Sequence, residues 1–336
     1  MKRIFLLLSL ALILAAIGPT LLEAGPRLRP YSTPFACTSF ALYTGETLYG
    51  MNFDYPDVET RFILKTSGEL KVFEMEFQEE GGWSSTVGMN SAGLFASCQM
   101  LFPEGEFEAN PADLELYPWQ VFRTSLESFR TVAEIREFLN TRRIVHWQVG
   151  LHDLFADTGG DAMVVEAGDR ANAITPIDGD FIVMTNFPNR DFVDKSYKEV
   201  SGTGSDRYIA AYEHIQDNLS SFDVEHGLEA LEKALASGSF PTQCSMVFDP
   251  QRGEVYIVLK GNFDQIWKAS LDEGTIETYS GFARAQTIEL GSSGILASDL
   301  QQMDTSGIPL WTYPTGLVVL LAGGICFLVS RKRATR

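Results

Sequence analysis

Cys37-Thr38-Ser39-Phe40-Ala41-Leu42 is followed, across Tyr43-Thr44-Gly45-Glu46, by Thr47-Leu48-Tyr49-Gly50-Met51-Asn52-Phe53, with Asp54 next in the chain. Two strand-like runs flank a segment of hairpin-turn composition, so the chain is predicted to fold back on itself here. Folding about residues 44–46 brings Cys37 opposite Asn52, Phe53 or Asp54, where cross-strand Cβ atoms lie roughly 5 Å apart. A thiol and a carboxylate thus meet at the open end of one hairpin. If Cys37 is the first residue of a mature chain, its α-amino group, with an ordinary pKa of about 7.7 to 8, accepts the thiol proton at neutral pH. Asp54 then holds that amine and tunes its charge.

The residues before Cys37 fit such a maturation. Met1-Lys2-Arg3 and the apolar stretch 4–17 read as the basic and apolar regions of a secretory signal, with Leu22-Glu23-Ala24 as the cleavage site. The signal then occupies 1–24, and a propeptide at 25–36 is removed by a second cut between Ala36 and Cys37. A lipoprotein signal is the competing reading, but Thr33-Pro34-Phe35-Ala36 lacks the usual pattern and lies too far beyond the apolar core.

At the other end, residues 308–329 carry no charge, are long enough for a span that needs about 20 residues, and precede Arg331-Lys332-Arg333. We read a transmembrane helix at 308–330 and a basic cytoplasmic tail at 331–336, with Trp311 and Tyr313 at the outer interface. A domain at 37–285 is then extracytoplasmic, tethered to the cell membrane by a single pass. Residues 286–307, with Gly291-Ser292-Ser293-Gly294 and Thr305-Ser306-Gly307, read as a polar stalk.

A formal net charge of -18 over 336 residues argues against nucleic acid or an anionic membrane surface as partner. No internal repeat breaks the central span, which suffices for one large core or two small ones. Of the four cysteines, Cys326 falls in the proposed anchor. The remaining three, Cys37, Cys98 and Cys244, are an odd number for an oxidising compartment, and Cys37 is assigned as the free thiol, with Cys98 and Cys244 in core strands. His146, His152, His214 and His226 show no metal-ligand spacing, so neither a metal nor a cofactor is expected. The pattern specifies no oligomeric state.

Strand-like runs are predicted at 62–64, 70–77, 94–100, 150–156, 162–166, 181–184, 245–248 and 255–259. Helical patterns fall at 118–128, 132–139, 206–218 and 224–236, the last with Asp223 as N-cap. Strands arrive in antiparallel-like groups and helices in pairs between them, an α+β order that two stacked sheets covered by helices accommodate.

These residues resemble the N-terminal nucleophile (Ntn) hydrolases that cut linear amides: the choloylglycine hydrolase and penicillin V acylase group, with related acyltransferase and acid-ceramidase-like enzymes. The matching pieces are Cys37-Thr38-Ser39, Gly50-Met51-Asn52-Phe53-Asp54-Tyr55, Gly88-Met89-Asn90-Ser91-Ala92-Gly93-Leu94, residues 152–166 with Ala156-Asp157 and Gly159-Gly160, Thr185-Asn186-Phe187-Pro188, and Ser205-Asp206-Arg207-Tyr208. They occur in the group's order.

The resemblance implies a four-layer αββα sandwich and hydrolysis of an N-acyl amide of the penicillin V, bile-salt or N-acylethanolamine class through a thioester. Cys37 would be nucleophile and, through its amine, base; Asp54 would orient the amine; Asn186 would donate to the oxyanion; Arg207 would keep the thiol ionised. Gln99 and Asn90 are candidates for a second oxyanion or substrate contact. One departure is Met51, where the bile-salt and penicillin V enzymes carry arginine and the acyltransferase-like branch has a neutral residue. This argues against bile-salt hydrolysis and leaves more of the work on the thiol to Arg207. Acyl transfer on the same scaffold and a catalytically inactive, membrane-tethered binding protein are the alternative functions.

Overall fold

In the computed structural model, residues 36–102, 114–146, 149–168 and 170–306 are described. The expected signal, the propeptide up to residue 35, the anchor and the basic tail lie outside them. Among the described residues no helix is long and apolar enough to cross a membrane.

The hairpin that opened the sequence reading is the centre of the fold. Strand β1 (Ala36–Leu42) pairs antiparallel with β2 (Leu48–Asp54), and Cys37 faces Phe53, the middle of the three expected partners. Alternation sends Cys37, Ala41, Met51 and Phe53 to one side, into the core between the sheets, and Phe40 to the other, toward the helices. All seven residues of β2 are buried, because both faces of its sheet are covered.

The first sheet runs β12 (Phe181–Met184), β1, β2, β13 (Thr242–Asp249), β14 (Glu254–Leu259), β15 (Ile266–Ser270), β16 (Thr275–Ser280), β17 (Thr287–Glu289). The second runs β11 (Ala173–Pro176), β10 (Ala162–Glu166), β9 (Leu151–Ala156), β6 (Phe95–Met100), β5 (Gly82–Asn90), β4 (Leu70–Glu79), β3 (Thr60–Ser67), β18 (Ile295–Leu296). A short parallel pair, β7 (Glu115–Leu116) and β8 (Arg143–Ile144), stands apart.

Phe53, Phe73, Phe95, Met246 and Phe248 fill the space between the two sheets. Helices α1 (Pro118–Ser128) and α2 (Val132–Leu139) cover the second sheet, with Phe122, Leu126 and Ile135 packed in one cluster with Val72, Cys98 and Phe155. Helices α3 (Ser205–Asn218) and α4 (Val224–Lys233) cover the first, with Ala211, Ile215 and Leu231 in one cluster with Phe40, Val247 and Val258. The layers are therefore αββα. Local signals set the helix starts: Thr131 and Glu134 form a reciprocal capping box on α2, and the Asp223 carboxylate accepts from His226 N–H at 3.0 Å on α4.

The stretch read as a polar stalk is part of the domain. It supplies β17, β18 and the helix α5 (Ala297–Ser306), and Leu290, Ile295, Leu300 and Met303 are buried in the inter-sheet core. The glycine-serine tract is a turn, with Gly294 at φ 78°, leading from the edge of one sheet to the edge of the other. Apolar residues widely spaced among polar ones concealed the edge strands. The domain boundary moves from residue 285 to at least Ser306.

Candidate active site

The open end of the β1–β2 hairpin gathers four of the six candidate residues. Cys37 main-chain N–H donates to Asn186 Oδ1 at 2.8 Å. Arg207 Nη2 donates to the same oxygen at 2.8 Å, while Nη1 reaches Cys37 O at 2.6 Å, Thr38 Oγ1 at 2.9 Å and Asp54 Oδ2 at 3.3 Å. Asn186 Nδ2 donates to Met100 O at 2.7 Å, so two donors and one acceptor fix which way this amide faces. Its second Nδ2 hydrogen is left for another acceptor.

Each position has a local cause. Arg207 lies in the first turn of α3, whose N-cap Gly204 has φ 81°. A Cβ on Gly204 would lie 2.4 Å from Arg207 Nη2, so only glycine serves both the left-handed backbone and the close approach of the guanidinium. Asp54 ends β2, and its other oxygen accepts from Thr242 Oγ1 at 2.5 Å. Thr242 reaches it because the β13–β2 register shifts between Thr242 and Cys244. Neither Gly204 nor Thr242 was singled out from sequence. A glycine immediately before Ser205-Asp206-Arg207 was the available signal for the first, whereas an isolated threonine beside an apolar strand gives none.

Two candidates have other partners. The Gln99 amide donates to Ser39 Oγ, a contact that crosses between the sheets. Asn90 closes the β5–β6 turn: Oδ1 accepts from Ala92 and Leu94 N–H, and Nδ2 donates to Leu126 O and Phe129 O at the end of α1. It sits at the opposite end of β6 from Met100, roughly 20 Å away at 3.3 Å per residue.

Burial dominates the electrostatics at the thiol of the uncut chain, where Arg207 pulls toward the thiolate. Burial, then the nearby Asp54 carboxylate, push the Cys37 thiol up to about 12, and the opposing pull of Arg207 is weaker than either. The guanidinium contacts the Cys37 carbonyl, Thr38, Asp54 and Asn186 instead. Met51 is fully buried in the inter-sheet core. In the uncut chain Cys37 is thus a neutral, 5% exposed thiol. Cys98 and Cys244 are buried free thiols as well.

Burial also pushes the Asp54 carboxyl up to about 7, against the pull of Arg207 and Thr242. Between about pH 4 and about pH 7 the folded chain therefore binds this proton more tightly than the unfolded one. The stability it contributes is full below that window and is lost as pH rises through it. In an uncut Cys37→Ala background, Asp54→Asn should reduce the fall in unfolding free energy between about pH 4.5 and about pH 7.5, read by urea titration. Equal falls with and without the carboxyl would contradict this assignment.

No protein-family model and no curated protein sequence matches the chain. Among solved structures it is similar to a variant of conjugated bile acid hydrolase from Clostridium perfringens, with 17% identity, a TM-score of 0.57, and coverage of 76% of this chain and 98% of that one. It is also similar to penicillin V acylase from Agrobacterium tumefaciens, with 18% identity, a TM-score of 0.55, and coverage of 76% and 96%. At these identities the likeness is one of fold.

Proposed function

From the premise that the chain has the αββα fold of the Ntn hydrolases, we propose that it is a cysteine Ntn hydrolase that cleaves a linear N-acyl amide with an apolar acyl group. The observation that carries this reading is the main-chain nitrogen of Cys37, 2.8 Å from Asn186 Oδ1 and joined through Arg207 to Asp54. A cut at Ala36–Cys37 turns that amide into an amine already set among groups that hold it.

The amine takes the Sγ proton and the thiolate attacks the acyl carbon. The free N–H of the Asn186 amide donates to the resulting oxyanion. The ammonium returns its proton to the leaving amine, a thioester remains, and water, deprotonated by the same amine, releases the carboxylic acid and restores the thiol. Asp54 favours the charged amine at each proton transfer. With Met51 rather than arginine on the inner face of β2, an apolar acyl group meets no cation there, which favours such substrates over charged conjugates. We also propose that residues 308–330 hold this domain on the outer face of a membrane.

Asn186→Ala tests the division of labour. It should lower kcat on a chromogenic N-acyl p-nitroanilide by about 10²- to 10³-fold with little change in KM, because its donor acts mainly on the oxyanion. Parental turnover in this variant would remove Asn186 from the mechanism.

A further inference from the structure

The loop that carries Asn186 is anchored by a buried carboxylate that the mechanism does not use. Glu166, at the end of β10, is fully buried. Its Oε1 accepts from Asn189 N–H at 2.9 Å and faces His152 Nδ1 at 3.2 Å, and its Oε2 accepts from Arg190 N–H at 3.0 Å. His152 and Glu166 are direct cross-strand partners on β9 and β10. Asn189 and Arg190 open the short turn Asn189–Phe192, three and four residues beyond Asn186. On the other side, Phe102 N–H donates to Asn186 O at 2.7 Å.

A buried carboxylate is costly unless its lone pairs are filled, and here they are filled by the loop itself. Donors from His152, Arg190 and Asn189 outweigh the effect of burial and hold Glu166 below the usual carboxylate range. The Arg190 guanidinium does not pair with it; Nη1 donates to Ala167 O. The charge therefore acts on main-chain N–H groups, whose direction fixes the path of the chain.

We infer that Glu166, held by His152, is a positioning residue that sets the Asn186 amide in the place where it meets Cys37 and the oxyanion. This rests on the reading of Asn186 given above. Apolar packing would hold the turn against the sheet but would leave its rotation free. Two main-chain donors on one carboxylate fix both distance and direction, and a displacement of about 1 Å at a catalytic group costs on the order of 10²-fold in rate.

Glu166→Gln keeps the shape of the side chain but replaces one acceptor oxygen with an NH₂ group, which then faces an N–H donor. On the same p-nitroanilide it should lower kcat by roughly 10- to 100-fold with KM nearly unchanged. Combined with Asn186→Ala it should add little, because a misplaced amide and an absent one are nearly equivalent. Costs that multiply in the double variant, or a parental kcat in Glu166→Gln beside an impaired Asn186→Ala, would overturn the positioning role and leave the Asn186 reading intact. If Asn186→Ala keeps parental turnover, the catalytic reading itself has failed. Peptide-resolved hydrogen exchange needs no substrate: in Glu166→Gln the amides of residues 189–192 should exchange faster while those of β1 and β2 do not change. Unchanged exchange at 189–192 would also overturn the proposal, and His152→Leu should shift the same amides in the same direction by less.

Discussion

Replacing Cys37 with alanine should abolish turnover of an N-acyl amide, a loss of roughly four or more orders of magnitude, because it removes the thiol that forms the thioester even where the α-amine remains. Cys37→Ser should fall nearly as far. The amine survives in that variant, but a hydroxyl gives up its proton far less readily than a thiol. The two variants also separate the routes of maturation. If the Ala36–Cys37 bond is cut by the chain itself, Cys37→Ala accumulates uncut precursor. If a separate peptidase makes the cut, the mature alanine chain appears without activity. Full turnover in Cys37→Ala would end the nucleophile assignment.

The second large effect concerns the end of the domain. A chain ending at Ala285, the boundary read from sequence, should not fold. It loses Leu290, Ile295, Leu300 and Met303, all buried in the core between the sheets. At roughly 1.5–3 kcal/mol for each buried apolar side chain, the loss approaches or exceeds the 5–15 kcal/mol by which domains are stable. It also leaves β3 and β16 without the partners that cover their edges. A chain ending at Ser306 keeps these contacts and should be soluble, folded and active once cut at Cys37, whereas the full chain should partition with membranes. Cooperative unfolding of the Ala285 chain at the parental temperature would contradict the boundary drawn here.

How much of this was legible in the sequence differs by element. The β1–β2 register could be read because a four-residue turn of clear composition separates two runs that, Thr47 apart, lie within buried strands. Helices α1 and α2 were bounded correctly because Pro118 and the Thr131–Glu134 box mark their starts. Strand β5 was missed since Trp83-Ser84-Ser85 are partly exposed at its outer half, so no apolar run announces it. Strands β15 and β16 lie toward the edge of their sheet; β15 alternates buried with partly exposed residues and β16 buries Ile276 alone, patterns too short to separate from loop.

The site was legible where a residue type carries chemistry of its own. Cys37 and Asp54 were read from the hairpin, Asn186 and Arg207 only from the family resemblance, and the four stand together. Partners that act by shape were not: Gly204 matters for the Cβ it lacks, and Thr242 for a shift in register. Motif position alone misplaced Asn90, whose amide is consumed by a turn and a helix end. Arg207 was assigned to the thiol, yet its hydrogen bonds order the main chain of Cys37 and the side chains around it, a distinction that needs coordinates.

The central claim is that catalysis belongs to an α-amino cysteine, and intact-mass and N-terminal peptide mass spectrometry of the active protein tests it most directly. The protein would be labelled beforehand with a small thiol-directed alkylating reagent until turnover is lost. The expected result is a chain beginning at Cys37, carrying one label on that residue in proportion to the activity lost. Fully active protein in which the Ala36–Cys37 peptide bond is intact, or in which the label that abolishes turnover sits on Cys98 or Cys244, would contradict the account.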